Sequence, residues 1–266
     1  MFRTKMYRLL SGGRALFLAC DQGLEHGPTD FNLNNINPNY ILDIAEKGGY
    51  NAVILHHGVA EKYYQNYRDR VRLIIKLNGK TNIAEVEPYS AQVCSVKRAV
   101  KLGAEAVGYT IYVGSPREAD MFREFSKIVE EAHDYGTPVI AWMYPRGPFV
   151  KNDETTEILA YSARVGLELG ADIVKLKYHN DTEGFKWVVK AAGRCKVVVA
   201  GGHKEDPAAL MHQAKEIVDS GSIGMAIGRN IWQHPEPLKI TKALRKIVIE
   251  NQGVEEALKV LEKSEK

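Results

Sequence analysis

Gly170-Ala-Asp-Ile-Val-Lys-Leu-Lys-Tyr178 reads as a glycine helix stop, a tight turn and a short buried strand that carries two lysines. The same design recurs in Gly49-Tyr-Asn-Ala-Val53, Gly103-Ala-Glu-Ala-Val107 and Gly221-Ser-Ile-Gly-Met225. Outward from it, strands are expected at Ala15 to Cys20, Ala52 to His56, Val71 to Leu77, Ala106 to Val113 and Pro138 to Tyr144. The quoted stretch is the sixth; Val197 to Ala200 and Gly224 to Gly228 complete the series. Helical patterns separate them, including Ser90 to Leu102 with Val93 facing inward, and a helix N-capped by Ser115 with Pro116 at its first position. Eight strand-then-helix units imply a parallel sheet covered by helices: one (β/α)8 TIM barrel domain over residues 1–266, with additional C-terminal helices at Pro235 to Glu250 and Val254 to Glu262. An open doubly wound sheet shares this periodicity and stays open as an alternative.

Composition narrows the partners. The chain has 266 residues, with 36 basic and 33 acidic residues giving a net charge of +3. That balance argues for no nucleic acid and no membrane partner, and any anion site must be local. Cys20, Cys94 and Cys195 are too few and too scattered for a disulfide framework or a clustered zinc site, so a reducing, cytoplasmic setting is expected. The apolar run Ala15 to Cys20 is too short for a secretory core, and no stretch has the length of a membrane span.

Active sites of such barrels lie at the strand C-terminal ends. Candidate site walls are therefore Asp21, His56, Tyr109, Tyr112, Trp142, Tyr144, Lys175 and Lys177, with Gly201-Gly202 and Gly228-Arg229 after the last two strands. Period two puts Lys175 and Lys177 on one side with Ile173, and Val174 and Leu176 on the other. A lysine in a dry pocket beside a second ammonium has a lowered pKa and becomes a nucleophilic amine. Lys177 is expected to be that second charge. Glycine backbone with an arginine in the last two loops suits a phosphate. An amine that adds to a ketone gives an iminium able to accept the electron pair of a breaking carbon–carbon bond, which is aldolase chemistry. Tyr144 and Asp21 would share the proton transfers. Trp142 either covers the reacting carbons or fills the core, and Cys20 should face the helix layer, away from Asp21.

His26, His56, His57, His179 and His203 also stand at or beyond strand ends, where a zinc-dependent aldolase would place ligands. No His-x-x-x-His or His-x-His pair is present, which favours loop hydrogen bonding over a metal, and no cofactor is expected. The same phosphate loops would also suit a phosphosugar-binding barrel without turnover, although such a protein has no use for paired interior lysines.

Asp21-Gln-Gly-Leu-Glu-His-Gly-Pro-Thr-Asp-Phe31, Trp142-Met-Tyr-Pro-Arg-Gly147, Gly170 to Tyr178, Ala200-Gly-Gly202 and Gly228-Arg-Asn-Ile-Trp232 together resemble the archaeal-type class I fructose-1,6-bisphosphate aldolases, within the group that contains deoxyribose-phosphate aldolase. The resemblance runs in order over nearly the whole chain. It implies that Lys175 is the Schiff-base lysine, Tyr144 the proton-transferring residue and Asp21 the acidic group. It also implies that Trp142, Lys177, His26, Gly201, Gly202, Gly228 and Arg229 contact a small phosphosugar, fructose 1,6-bisphosphate. The family often has Ser-Gly-Gly where this chain has Ala200-Gly-Gly, so amides, Arg229 or His203 must replace a lost hydroxyl. A related synthase of archaeal aromatic amino-acid biosynthesis shares barrel and lysine, and Glu25-His26 resembles the aldolase version of the first loop. Family members form homo-oligomers, often decamers, to which the C-terminal helices would contribute.

Overall fold

Alternation along the strands sorts the apolar residues into two sets, and the computed structural model places them on the two surfaces of one cylinder. Residues 2–84, 86–202 and 204–262 are described. Strands β1 (Ala15–Ala19), β2 (Ala52–His56), β3 (Leu73–Lys76), β4 (Ala104–Ile111), β5 (Val139–Met143), β6 (Ile173–Leu176), β7 (Lys196–Ala200) and β8 (Gly224–Ile227) are parallel, each beside the next. β8 closes on β1, with Ala15 opposite Gly224 and Leu18 opposite Ile227, which excludes the open sheet. Phe17, Ile54, Ile74, Ile140, Ile173 and Val198 fill the interior, while Leu16, Leu18, Val53, Val107, Val174 and Leu176 pack outward against the helices. Burying both faces is what lets these strands read as almost continuous apolar runs.

The four echoed glycines end helices as their spacing suggests. Gly49, Gly103, Gly170 and Gly221 have φ of +64°, +93°, +85° and +91°, the left-handed turn that ends a helix and hands the chain to a strand. Inside the barrel, Gly108 of β4 has a different role, since a Cβ there would overlap the six-membered ring of Trp142. The indole therefore lies across the barrel interior, where a larger β4 residue would forbid it.

Three local expectations need correction. Ala91–Gln92 pair antiparallel with Asn78–Gly79, and the following helix spans only Val96–Lys101, because the Ser95 hydroxyl accepts from the Arg98 amide at 3.2 Å and starts it there. Val93 is accordingly exposed. Ser115 does not directly precede the helix: its hydroxyl donates to the Pro88 carbonyl and accepts from the Arg117 amide at 3.1 Å, and the helix begins later, at Glu118, whose carboxylate accepts from the Gly114 amide at 2.7 Å. Finally, Phe2–Arg8 form a helix absent from the sequence reading, and Leu9 after it enters the inner core from the N-terminal end of the barrel. The C-terminal helices are Pro237–Val248 and Val254–Glu262. Among the described residues, no helix is long and apolar enough to cross a membrane.

Candidate active site

The C-terminal ends of the strands surround a cavity of about 500 Å³. The ten residues to which the resemblance assigns a role all line it: Lys175, Tyr144, Asp21, Trp142, Lys177, His26, Gly201, Gly202, Gly228 and Arg229. His203 lies outside the described residues. Lys175, the third residue of β6, is 6% exposed and points inward after Ile173, as period two requires. Its Nζ sits 5.2 Å from the centre of the Trp142 ring. Burial pulls its pKa below the ordinary lysine value, and the nearby Asp21 carboxylate only partly opposes this.

Lys76, the last residue of β3, is the residue that sequence reasoning missed. It is 8% exposed, its Nζ lies 3.4 Å from Asp21 Oδ2, and it stands 5.1 Å from the centre of the Trp142 ring, sharing that indole with Lys175. Burial lowers its pKa, Asp21 raises it, and Lys175 lowers it further. The signal was available: Val71-Arg-Leu-Ile-Ile-Lys-Leu77 is an apolar strand with an interior lysine, the same anomaly as in β6. The charge that neighbours Lys175 is therefore Lys76 and not Lys177. Lys177 reaches the cavity rim, where it donates to Asp153 at 2.7 Å and Glu154 at 2.9 Å. Partial burial would lower its pKa, but those two carboxylates outweigh it and raise the value.

Asp21 is largely enclosed, with 11% of its side chain exposed. Desolvation alone would raise its pKa, yet Lys76, Lys175 and His56 together hold it below the usual carboxylate range. Tyr144 shows the opposite balance: desolvation, and then the Asp21 charge, push its phenol above the ordinary tyrosine value, so its hydroxyl is protonated at neutral pH. His56 ends β2, and desolvation followed by the Lys76 charge takes its pKa down to about 4, keeping the imidazole neutral. Tyr109 is not a site wall. It faces the helix layer with Val107 and Ile111, and its hydroxyl donates to Glu124 at 2.6 Å. Tyr112, beyond the end of β4, does line the cavity, with the Arg146 guanidinium 5.2 Å above its ring. Cys20 packs in the outer core, as expected.

Across the cavity the walls are small: Ala200 at the end of β7 with Gly201 and Gly202 after it, and Ala226 on β8 with Gly228 just beyond it. A Cβ on Gly201 would come 2.6 Å from Ile227, and one on Gly228 2.7 Å from the Ala19 carbonyl, so neither position admits a side chain. Asn230 ties these loops, donating to Gly201 O at 2.8 Å and accepting from the Glu205 amide at 2.8 Å. Asp30 joins them to the first loop, with His26 Nδ1 at 2.6 Å and Arg229 at 3.6 Å. Trp232 adds a bond from its indole to Ala19 O at 3.1 Å and stacks on Phe31. His179 pairs with Thr156 at 2.7 Å, and the His57 Nδ1 is buried without a partner among the described residues. The arrangement therefore offers a buried amine whose pKa burial lowers, a phenol and an ionised carboxylate facing a small-walled space.

Known proteins are similar to this chain over most of its length. Residues 15–234 match the model of the DeoC/LacD family aldolases. The chain is 44% identical over 254 residues to the class 1 fructose-bisphosphate aldolase of Thermoproteus tenax, covering 93% of this chain and 94% of that one. It is 42% identical over 248 residues to the corresponding Halobacterium salinarum enzyme, covering 92% and 94%. A solved archaeal fructose-1,6-bisphosphate aldolase, with its catalytic lysine covalently bound to the carbinolamine intermediate of the substrate, superposes with a TM-score of 0.89 at 42% identity, over 94% of this chain and 100% of that one. The chain belongs to the DeoC/LacD family of aldolases.

Proposed function

We infer that this chain is a class I fructose-bisphosphate aldolase, reversibly cleaving fructose 1,6-bisphosphate to dihydroxyacetone phosphate and glyceraldehyde 3-phosphate in glycolysis and gluconeogenesis. The observation that carries this reading is the buried Lys175 amine, facing Asp21 and Tyr144 and opposite the glycine cradle, in a chain 42–44% identical to class 1 enzymes. Those relatives favour the aldolase over the related synthase of aromatic amino-acid biosynthesis.

The chemistry follows from the ionisation states. Neutral Lys175 Nζ adds to the ketone carbon of the open-chain sugar, giving a carbinolamine after its extra proton moves to the oxygen. Tyr144, a protonated phenol, gives its proton to that hydroxyl, which leaves as water. An iminium and a phenolate remain. The phenolate then takes the proton of the C4 hydroxyl, the C3–C4 bond breaks, and its electron pair flows into the iminium to form an enamine. The aldehyde departs. Tyr144 returns the proton to C3, and water hydrolyses the imine to release dihydroxyacetone phosphate and the free amine. Ionised Asp21 offsets the transient iminium charge in a site where water screens little. Gly201, Gly202, Gly228 and Arg229 hold the phosphate next to the ketone, while His26 and Lys177 contact the sugar. Arg146, at the rim on the tyrosine side, suits the second phosphate. The 266 residues act as one barrel domain, in the cytoplasm, as a homo-oligomer.

Borohydride added with dihydroxyacetone phosphate should reduce the imine and leave a mass adduct on the peptide containing Lys175. Absence of an adduct, with cleavage abolished by a chelator, would instead indicate a zinc aldolase.

A further inference from the structure

The opposite, N-terminal end of the barrel holds a second cavity of about 380 Å³, between the first helix, the segment before β3 and the start of β4. Its lining is rich in cations: Lys5, Arg8, Arg68, Arg70 and Arg72, against Asp69 and Glu105. Several of these are already engaged. Arg70 pairs with Glu46 at 2.7 Å, Arg8 with Glu105 Oε1 at 3.0 Å, and Lys5 donates to Thr137 at 2.9 Å. The guanidinium groups of Arg68 and Arg72 have no hydrogen-bond or ion-pair partner among the described residues, and Arg72 Nε is shut off from solvent.

Glu105 stands beside them for a structural reason. Leu73 lies opposite Ala104 and Ile74 opposite Ala106, so Glu105 is the extra residue of a bulge between β3 and β4. Bulges re-aim side chains, and this one leaves Glu105 Oε2 buried with no donor among the described residues. Buried donors and acceptors that stay unpaired are costly, and two of opposite kind line one cavity. The exposed Asp69 carboxylate also lines it, which disfavours ligands that only carry negative charge.

We propose that this cavity is a binding site for inorganic phosphate, distinct from the catalytic mouth. The oxyanion accepts from the Arg68 and Arg72 guanidinium groups, and the Glu105 carboxylate, turning its buried Oε2 toward the cavity on binding, accepts from the remaining hydroxyl of hydrogenphosphate. Sulfate has the same shape but no proton to give at neutral pH, so Glu105 rejects it.

Calorimetric titration of the full chain at fixed ionic strength tests this, in an Arg229→Ala background that weakens phosphate binding at the mouth. One phosphate-binding event should persist there. Arg72→Gln in that background should weaken it about tenfold or more, the loss expected for a charge-assisted bond to an anion. Sulfate should bind at least roughly tenfold more weakly than phosphate, and Glu105→Gln should narrow that gap. Circular dichroism checks folding, and Arg68→Gln, at an exposed position, replaces Arg72→Gln should the latter not fold. Loss of all phosphate binding in Arg229→Ala, an unchanged affinity after the arginine substitution, or equal affinity for sulfate would overturn the proposal.

Discussion

The two halves of the barrel mouth are built by opposite means. On the side of β1, β3, β5 and β6, Asp21, Lys76, Trp142, Tyr144 and Lys175 crowd together, with Lys76, Trp142 and Lys175 buried and the other two partly so. On the side of β7 and β8, Ala200, Gly201, Gly202, Ala226 and Gly228 leave space. Reactivity on the first side comes from desolvation, which shifts ionisation. On the second, the absence of side chains leaves room for an anion, the role proposed for it above, with the Gly201 amide itself held by the Ala226 carbonyl at 3.0 Å. Substitutions on the two sides should therefore fail in different kinetic terms.

The largest expected effect is at Lys175. Lys175→Met should lower cleavage by at least roughly 10⁴-fold and abolish the borohydride adduct, since no other group supplies the imine nitrogen. An adduct moving to Lys76 would break the assignment. Tyr144→Phe comes next, with kcat reduced ~10²–10⁴-fold and KM little changed. Trapping should suffer less than cleavage, because water can protonate a departing hydroxyl, whereas Tyr144 is the base assigned to the C4 hydroxyl.

Lys76→Met should reduce kcat by roughly 10²-fold and carry a distinctive pH signature. Imine formation needs the neutral amine, so activity falls as pH drops through the Lys175 pKa, which burial holds below the ordinary value. Lys175 lowers the pKa of Lys76, and because such an interaction is reciprocal, removing Lys76 should let Lys175 hold its proton more tightly. The acid limb of the kcat profile should then move to higher pH. Lys177→Met, whose ammonium is already matched by Asp153 and Glu154, should leave that limb in place. Equal shifts in the two variants would restore Lys177 as the tuning charge. The smallest effect belongs to the open side, where Arg229→Ala should raise KM roughly tenfold with kcat nearly intact.

The same contrast explains what was legible in the sequence. Glycine stops at Gly49, Gly103, Gly170 and Gly221 mark the turns locally, so the barrel could be counted. Asp21, Tyr144 and Lys175 stand at strand ends by a period-two reading, and the Gly201-Gly202 and Gly228-Arg229 pairs are visible because they interrupt apolar runs. The Lys76–Asp21 pair was hidden because β2 separates its two strands, in sequence and in the barrel order. The partners of Lys177 were hidden for a similar reason: they lie in a loop 23 and 24 residues earlier with no periodic signal. Tyr109 was misplaced because an aromatic hydroxyl near a strand end looks alike whether it meets substrate or, as here, Glu124 on a covering helix.

Gly108 and Trp142 occupy what is in effect one volume on adjacent strands, so they behave as a single letter spelled at two places. A library that randomises β4 and β5 separately will return the parent residue at both. Only one that varies the pair together can reach a different surface beside Lys76 and Lys175, and with it a sugar of different shape.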